Sequence, residues 1–198
     1  MKWKAIAGVT VVLFAAVLIL TVFVFFGESE GSKTGESEVT VSKTDTVLLR
    51  DIKNNYPPTP KEVLKYYSEI TTCFYNEELD EDKLAALARR ARELYDTELV
   101  ADKTEEEYLE DLKEDILAFQ SQGITVSGYT VSSSTDVFYF EEDEYEFARL
   151  YANYRLRQGT EFVYSNEKFL LRKDEQGHWK IFGWDLVEEN SETTEATE

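Results

Sequence analysis

Residues 168–186 read KFLLRKDEQGHWKIFGWDL, which is the pattern of two strands around a tight reversal. Asp174 and Gly177 stand in the reversal, where an acidic side chain can bond the turn backbone and glycine can adopt a left-handed conformation. Apolar and aromatic residues flank the reversal on both sides, as they do in strands. The stretch predicts a closing β-hairpin in which a strand over 162–173 pairs with a strand over 179–186.

The residues before this hairpin also alternate between apolar and polar positions. Strand-like segments cover 126–131, 137–140 and 145–156. In the longest of them one face carries Ala148, Leu150, Ala152, Tyr154 and Leu156. The other face is polar but rich in aromatics, with Phe147, Arg149, Tyr151, Asn153 and Arg155. This period of two predicts a meander of long antiparallel strands.

Helical signals precede the strands. Thr59, Pro60 and Glu62 are typical of a capped helix start, because threonine can accept from a free amide and proline lacks one. Asp80 and Thr104 stand before two further runs with apolar residues at helical spacing. Helices followed by strands predict the α+β class, with helices packed on one face of a curved antiparallel sheet.

The closing segment resembles the end of nuclear-transport-factor-two-like domains. In those domains a strand, an acidic turn with glycine and a W-K-I-x-x-W strand follow several helices and earlier strands, as in residues 168–186. The resemblance implies a cone-shaped α+β domain over about 47–187. Enzymes of this fold, such as ketosteroid isomerases and scytalone dehydratases, place a carboxylate, a histidine or a tyrosine inside the cone, but the fold alone does not transfer an activity.

The N-terminal region contains a long apolar run. Residues 5–26 hold no charged side chain, and as a helix they extend roughly 33 Å, enough to cross a hydrocarbon core of about 30 Å. A cleaved signal peptide is the alternative, but Phe26 stands where a small residue is expected. Lys2 and Lys4 favour a cytoplasmic N-terminus and an exported C-terminal domain. The sequence predicts a single-pass anchor whose partner is the lipid bilayer.

Composition divides the chain into segments. Residues 1–4 form a cytoplasmic N-terminus before the transmembrane helix 5–26, and residues 27–45 are rich in Gly, Ser, Thr and Glu, which predicts a flexible stalk. Residues 46–187 are dense in large apolar side chains and predict one domain with its own core. Residues 188–198 predict an acidic disordered tail. This layout resembles small envelope proteins of Gram-positive bacteria and the membrane-anchored assembly subunits of conjugation and type IV secretion machines.

The charge and the cysteine content exclude some classes of function. The chain has 21 basic and 40 acidic residues and a net charge of −19. A surface of this sign repels phosphate backbones, so we expect no nucleic-acid partner. Cys73 is the single cysteine, so an internal disulfide is excluded, and its apolar neighbours predict a buried thiol. An exported domain without disulfides suits a Gram-positive surface.

Residues that could carry catalysis or bind a metal are few. His178, the single histidine, follows a hairpin turn, where a sheltered general base is not expected. The acidic run 141–144 lacks the spacing of a calcium loop, and we interpret it as a solvated hairpin tip. The sequence also lacks zinc-ligand spacing, a phosphate-binding glycine loop and a nucleophile with a base. We therefore expect no catalytic residue, no cofactor and no metal.

One polar group is a candidate for binding. If the polar face of the strand 145–156 looks into the cone, it lines a pocket together with tyrosines of the helices: Arg149, Tyr151, Asn153, Arg155, Tyr66, Tyr67 and Tyr95. Two arginines among aromatic residues can bind a small anion or an acidic peptide. Alternatively, these arginines pair with surface glutamates or lie over aromatic rings.

Three functions follow as hypotheses. The first is a non-catalytic module of the cell envelope that binds a protein or peptide, favoured because no catalytic constellation is present. The second is a small-molecule-binding or enzymatic domain, which requires an aromatic-lined pocket with an ionisable group in the cone. The third is an assembly subunit of a conjugation-type or secretion-type machine.

Overall fold

Helices come first along the described part of the chain, and strands follow. The structure is a computed structural model and describes residues 42–187. Its helices are α1 (Lys43–Leu48), α2 (Pro60–Asn76), α3 (Glu81–Arg92), α4 (Thr97–Val100) and α5 (Glu105–Ser121). Its strands are β1 (Ile124–Val131), β2 (Phe138–Glu142), β3 (Tyr145–Gln158), β4 (Glu161–Lys173) and β5 (Trp179–Leu186). This arrangement confirms the α+β class with an antiparallel sheet.

Capping bonds confirm the three predicted helix starts. The side chains of Thr59 and Asp80 accept hydrogen bonds from backbone amides in the first turns of α2 and α3. Thr104 and Glu107 form a complete capping box at α5. These side chains satisfy amides that have no partner within the helix, so local sequence sets the helix boundaries. The short helix α4, capped by Asp96, was not predicted.

Helix α1 lies partly inside the segment 27–45 that the sequence assigns to a stalk. The Ser42 side chain caps α1. Thr44 is fully buried, and its hydroxyl donates to the Glu77 carboxylate at 2.7 Å. The polar composition of the segment hid this helix, because its contacts are made with residues far along the chain. Residues 43–45 therefore belong to α1 and not to a flexible stalk.

The sheet is organised around its longest strand, β3. The strand order is β1-β3-β4-β5. β2 pairs with the first residues of β3, and β1 pairs with the last residues of the same edge. All of these pairings are antiparallel. The register shifts between Val126 and Gly128 in β1 and between Leu170 and Leu171 in β4. Such irregularities bend and twist a sheet, which helps it to wrap the helices.

The face of the sheet toward the helices, which we call the inner face, carries the core. On β3 it presents the residues predicted for the apolar face, and all of them are buried: Ala148, Leu150, Ala152, Tyr154 and Leu156. Aromatic rings fill the space between sheet and helices. The Tyr67 ring centroid lies 5.8 Å from that of Phe169 and 6.0 Å from that of Trp184. Burial of each such side chain stabilises the fold by about 1.5–3 kcal/mol.

Several predicted segments lie outside the described residues. These are the transmembrane helix 5–26, the remaining stalk 27–41 and the acidic tail 188–198. Within residues 42–187, no helix combines the length and the apolar character needed to cross a bilayer. The anchor and its orientation therefore stay predictions from the sequence.

Candidate functional site

The candidate site lies on the face of the sheet that points away from the helices, which we call the outer face. Side chains alternate between the two faces of a strand, so the polar positions of β3 that alternate with its buried residues share this face. Exposed aromatic side chains cluster there: Phe138 is 53% exposed, Tyr151 43%, Phe162 51% and Tyr164 59%. Clustered aromatic side chains in contact with solvent are typical of a surface that binds another molecule.

Three arginines on the outer face of β3 form its basic part. Arg149 lies over the Phe138 ring, 4.8 Å from the centroid, and Arg155 lies over the Phe162 ring at 5.1 Å. Arg157 follows two residues later and is exposed. The salt bridges between residues 42–187 include none of these three guanidinium groups. The rings hold two of the groups in place, and the positive charges stay available to a ligand.

Two shallow depressions lie on the outer face. None of the three arginines lines them, but Arg155 and Arg157 pair across the strands with Tyr164 and Phe162, which do. The first, of about 350 Å³, is lined by Tyr151, Asn166 and Val187, among others. The second, of about 410 Å³, is lined by Phe162 and Tyr164 together with the same Asn166 and Val187. Because they share two residues, the depressions form one continuous groove across the end of the sheet. We call it the outer groove.

The predicted pocket residues do not share a cavity. Arg149, Tyr151, Asn153 and Arg155 lie together as predicted, but on the outer face. Tyr67 is fully buried on the helix side of the sheet, as are the other two predicted tyrosines. The prediction that all of them face one cone was wrong, because the helices cover the alternate residues of β3. The strand residues form a surface, and the tyrosines belong to the core.

A network of buried hydroxyl groups occupies the helix side. The Tyr95 hydroxyl lies 3.3 Å from each of the Tyr67 and Tyr108 hydroxyls. The Tyr154 hydroxyl lies 2.9 Å from Ser68 Oγ. Burial raises the pKa of all four tyrosines well above the usual value, so they are neutral at physiological pH. Their hydrogen bonds hold α2 and its neighbours in register with the sheet.

Glu167 is a buried ionisable residue that is not among the sequence-predicted site residues. It points inward from β4 and is 0% exposed. The Ser165 hydroxyl donates to Glu167 Oε1 over a long 3.4 Å, and Oε2 has no hydrogen-bond partner among the described residues. Burial raises the pKa of this carboxyl from 4.5 to about 8, because a charge in an apolar interior is unfavourable. The group is therefore protonated at neutral pH.

The alternation within β4 contains a signal that identifies Glu167. Ser165, Glu167, Phe169 and Leu171 follow at a spacing of two, and all four are buried. A glutamate in phase with Phe169 and Leu171 has to point into the core. Glutamate is rarely buried without a partner, so this position is unusual on sequence grounds alone.

The remaining sequence candidates lie at turns or in the core. His178 stacks on Tyr56 with ring centroids 4.3 Å apart, and it is partly exposed beside the β4–β5 turn. Cys73 is buried as predicted, and burial raises the pKa of its thiol. The acidic run 141–144 ends β2 in an exposed two-residue turn. Within residues 42–187, no group of His, Cys, Asp or Glu side chains is arranged to hold a metal ion.

A comparison with known families places the chain. A family model described as "Domain of unknown function (DUF6715)" matches residues 1–184. The chain belongs to this family. The match covers the apolar run 5–26 as well as nearly all of the described domain. No curated protein matches the chain. The family description names no activity, so the function has to be argued from the outer face and from Glu167.

Proposed function

We propose that this protein is a membrane-anchored module that binds an acidic segment of a partner protein through its outer face. Residues 5–26 anchor it in the cell membrane, with the N-terminus in the cytoplasm and the domain outside. The protein belongs to the envelope of a Gram-positive bacterium. The domain has the cone-shaped nuclear-transport-factor-two-like fold, and it acts by binding rather than by catalysis.

The observation that carries this proposal is the contrast between the outer face and the rest of the chain. Acidic residues outnumber basic ones by 40 to 21, yet Arg149, Arg155 and Arg157 stand on one strand face without a carboxylate partner among residues 42–187. In a chain with so many carboxylates, three arginines on one strand face that form no salt bridge with residues 42–187 are unusual. The complementary ligand carries carboxylates.

The aromatic residues extend the chemistry of the expected ligand. Each arginine–carboxylate contact at this exposed surface contributes up to about 1 kcal/mol, and Tyr164 and Phe162 offer apolar contact beside it. An acidic segment with interspersed apolar side chains matches both features. The outer groove is shallow, which suits an extended peptide better than an enclosed small molecule.

A second candidate function rests on Glu167. A carboxyl group with a pKa near 8 can give or take a proton at neutral pH, and it lies among tyrosines, as in a small-molecule or enzymatic site. In this conformation the surrounding side chains leave Glu167 0% exposed. Catalysis would therefore require the helices to move away from the sheet, which makes this the weaker of the two candidates.

The test is a binding titration with peptides of defined charge. A fluorescently labelled peptide of alternating Glu and Val residues is titrated into the full chain held in nanodiscs of zwitterionic lipid. Replacing both Arg155 and Arg157 with Gln should weaken binding by about tenfold, because two exposed ion pairs of about 0.7 kcal/mol each are lost.

The matched control is Arg89→Gln, which removes an exposed arginine from α3 on the helix side. We expect this variant to bind as the wild type does. Equal affinity of the wild type and the Arg155→Gln, Arg157→Gln variant would exclude the outer face as the binding surface.

A further inference from the structure

The outer face has an acidic segment attached at its own border. We infer that residues 188–198 of this chain lie in the outer groove and compete there with the acidic partner. The inference rests on the function proposed for the outer face and gives that site its regulation. The family match ends at residue 184 and does not include this segment.

The position of Val187 gives the first argument. The Val187 amide donates to the Asn166 carbonyl at 2.8 Å, and Val187 lines both depressions of the outer groove. The chain therefore leaves the described domain where the two depressions meet. A segment that continues from Val187 reaches the proposed binding site without crossing the domain.

The open edge of β4 gives the second argument. β5 pairs with β4 from Lys173 only as far as Glu167, and Val187 adds one more bond, to Asn166. The first residues of β4, from Glu161 on, pair with β3 on their other side. In an antiparallel ladder, every second residue directs its backbone N–H and C=O to the same neighbouring strand. Asn166 directs these groups toward Val187, so Tyr164 and Phe162 direct theirs to the open edge of β4. A chain continuing beyond Val187 meets a row of backbone partners.

Charge gives the third argument. Residues 188–198 read EENSETTEATE, with five glutamates and no basic residue. On sheet spacings, Arg155 lies two strands across and two residues along from Val187, roughly 12 Å away. Eleven residues reach up to about 36 Å. A chain that follows the open edge of β4 from Asn166 runs toward Arg155 and Arg157, so its glutamates can meet these two arginines. Because the segment is part of the same chain, its effective concentration at the groove is high. It therefore occupies the groove in preference to a free acidic peptide that binds with the same intrinsic affinity.

A second copy of the chain is the competing occupant, and charge disfavours it. Two outer faces brought together would oppose Arg149, Arg155 and Arg157 with the same residues of the copy. Like charges at close range cost several kcal/mol in an interface. The attached acidic segment has the opposite sign, so it is the better match.

Photo-cross-linking tests where the segment lies. Tyr164 is replaced by the photoreactive amino acid p-benzoylphenylalanine in the full chain, in nanodiscs of zwitterionic lipid, and the products are identified by mass spectrometry. We expect cross-links to residues 188–198 that disappear in high salt. The same amino acid at Leu117, exposed on α5, is the control and should not capture the segment. Mixing isotope-labelled with unlabelled chains distinguishes capture within one chain from capture between copies.

Competition tests the regulation. Replacing Glu188, Glu189 and Glu192 with Gln should tighten binding of the Glu-Val peptide several-fold. The matched control replaces three exposed glutamates of α5, Glu106, Glu110 and Glu114, with Gln, which makes the net charge less negative by the same amount but leaves the segment intact. This control should bind as the wild type does.

The outcomes separate the inference from the proposed function. Absence of the cross-link, together with equal peptide affinity of the wild type and the Glu188, Glu189 and Glu192 variant, overturns the inference and leaves the proposed function standing. Presence of the cross-link without any peptide binding upholds the intramolecular contact and overturns the proposed function. Cross-links only between labelled and unlabelled chains overturn the inference in favour of a second copy.

Discussion

Replacing Glu167 with Gln should make the folded domain more resistant to rising pH. The carboxyl group is fully buried, and burial raises its pKa from 4.5 to about 8. Below pH 4.5 the group is protonated in both the folded and the unfolded state, so it causes no penalty. As the pH rises, the unfolded chain loses the proton first, and folding then has to recover it or bury a charge. Stability therefore falls from pH 4.5 upward until the folded group also ionises near pH 8.

The size of the effect follows from the distance between the two pKa values. One pKa unit corresponds to about 1.4 kcal/mol. Between pH 4.5 and pH 7 the wild type should lose about 3 kcal/mol of stability through this group, and by pH 8 about 4–5 kcal/mol. Glutamine has nearly the same shape and does not titrate. The difference in unfolding free energy between the variant and the wild type should grow by the same amounts.

Urea unfolding of the full chain at a series of pH values, followed by tryptophan fluorescence, measures this difference. Trp184 is a suitable reporter because its ring stacks on Phe169 with centroids 5.8 Å apart, two residues along β4 from Glu167. The control is Glu161→Gln, which removes an exposed carboxylate from the start of the same strand and should leave the pH profile unchanged. Parallel profiles of wild type and Glu167→Gln would show that the carboxylate is ionised and solvated in the folded protein, which would refute the reasoning.

Three further changes probe contacts that hold the domain together. Arg172→Ala should lower the free energy of unfolding by about 3–5 kcal/mol, because Arg172 donates to both carboxylate oxygens of the buried Asp96. The control Arg89→Ala, at an exposed salt bridge, should lower it by less than about 1 kcal/mol. Equal losses in chemical unfolding would contradict this difference. Asn76→Ala should lower the free energy of unfolding by about 2–3 kcal/mol, because the Asn76 side chain donates to the Val126 carbonyl and accepts from the Val126 amide. An unchanged melting temperature would contradict this link between α2 and β1. Glu144→Gly should raise the free energy of unfolding by about 1 kcal/mol, because Glu144 has a φ of 72° in the β2–β3 turn, a left-handed conformation that glycine adopts more easily. A lower melting temperature of the variant would contradict this turn geometry.

Local signals made most of the helices and strands predictable. Thr59, Asp80 and Thr104 mark helix starts through bonds within a few residues, and the alternation of β3 identifies its two faces. Helix α1 was hidden because its burial depends on contacts with distant residues such as Glu77. Composition describes a segment's own polarity and carries no information on a surface that covers it.

The candidate site was predictable only in part. Alternation placed Arg149, Tyr151, Asn153 and Arg155 on a common face, and the structure confirms this grouping. Alternation does not tell which face the helices cover, and that is why the same residues were expected inside the cone. Tertiary packing decides the question, because small and aliphatic side chains on the opposite face allow the helices to approach closely.

The raised pKa values of buried carboxyl groups could not be predicted from the sequence. Glu167 belongs to a buried row that is visible in the sequence, but its raised pKa depends on how completely the packed elements exclude solvent from the carboxyl group, which no spacing rule describes. The pKa of Asp115 is likewise raised, to about 6, by burial and by Asp111 and Glu114 nearby. Electrostatic properties of this kind emerge only once the elements are packed.

The most direct test of the account is the sign of the charge that the outer face selects. The full chain with p-benzoylphenylalanine in place of Tyr164 is offered the Glu-Val peptide and, separately, a peptide of alternating Lys and Val residues, at low and at high salt. The net charge of −19 by itself favours the lysine peptide, whereas the arginines of β3, which have no carboxylate partner within residues 42–187, favour the glutamate peptide. We predict stronger capture of the glutamate peptide, decreasing with salt. Stronger capture of the lysine peptide at this position would contradict the account.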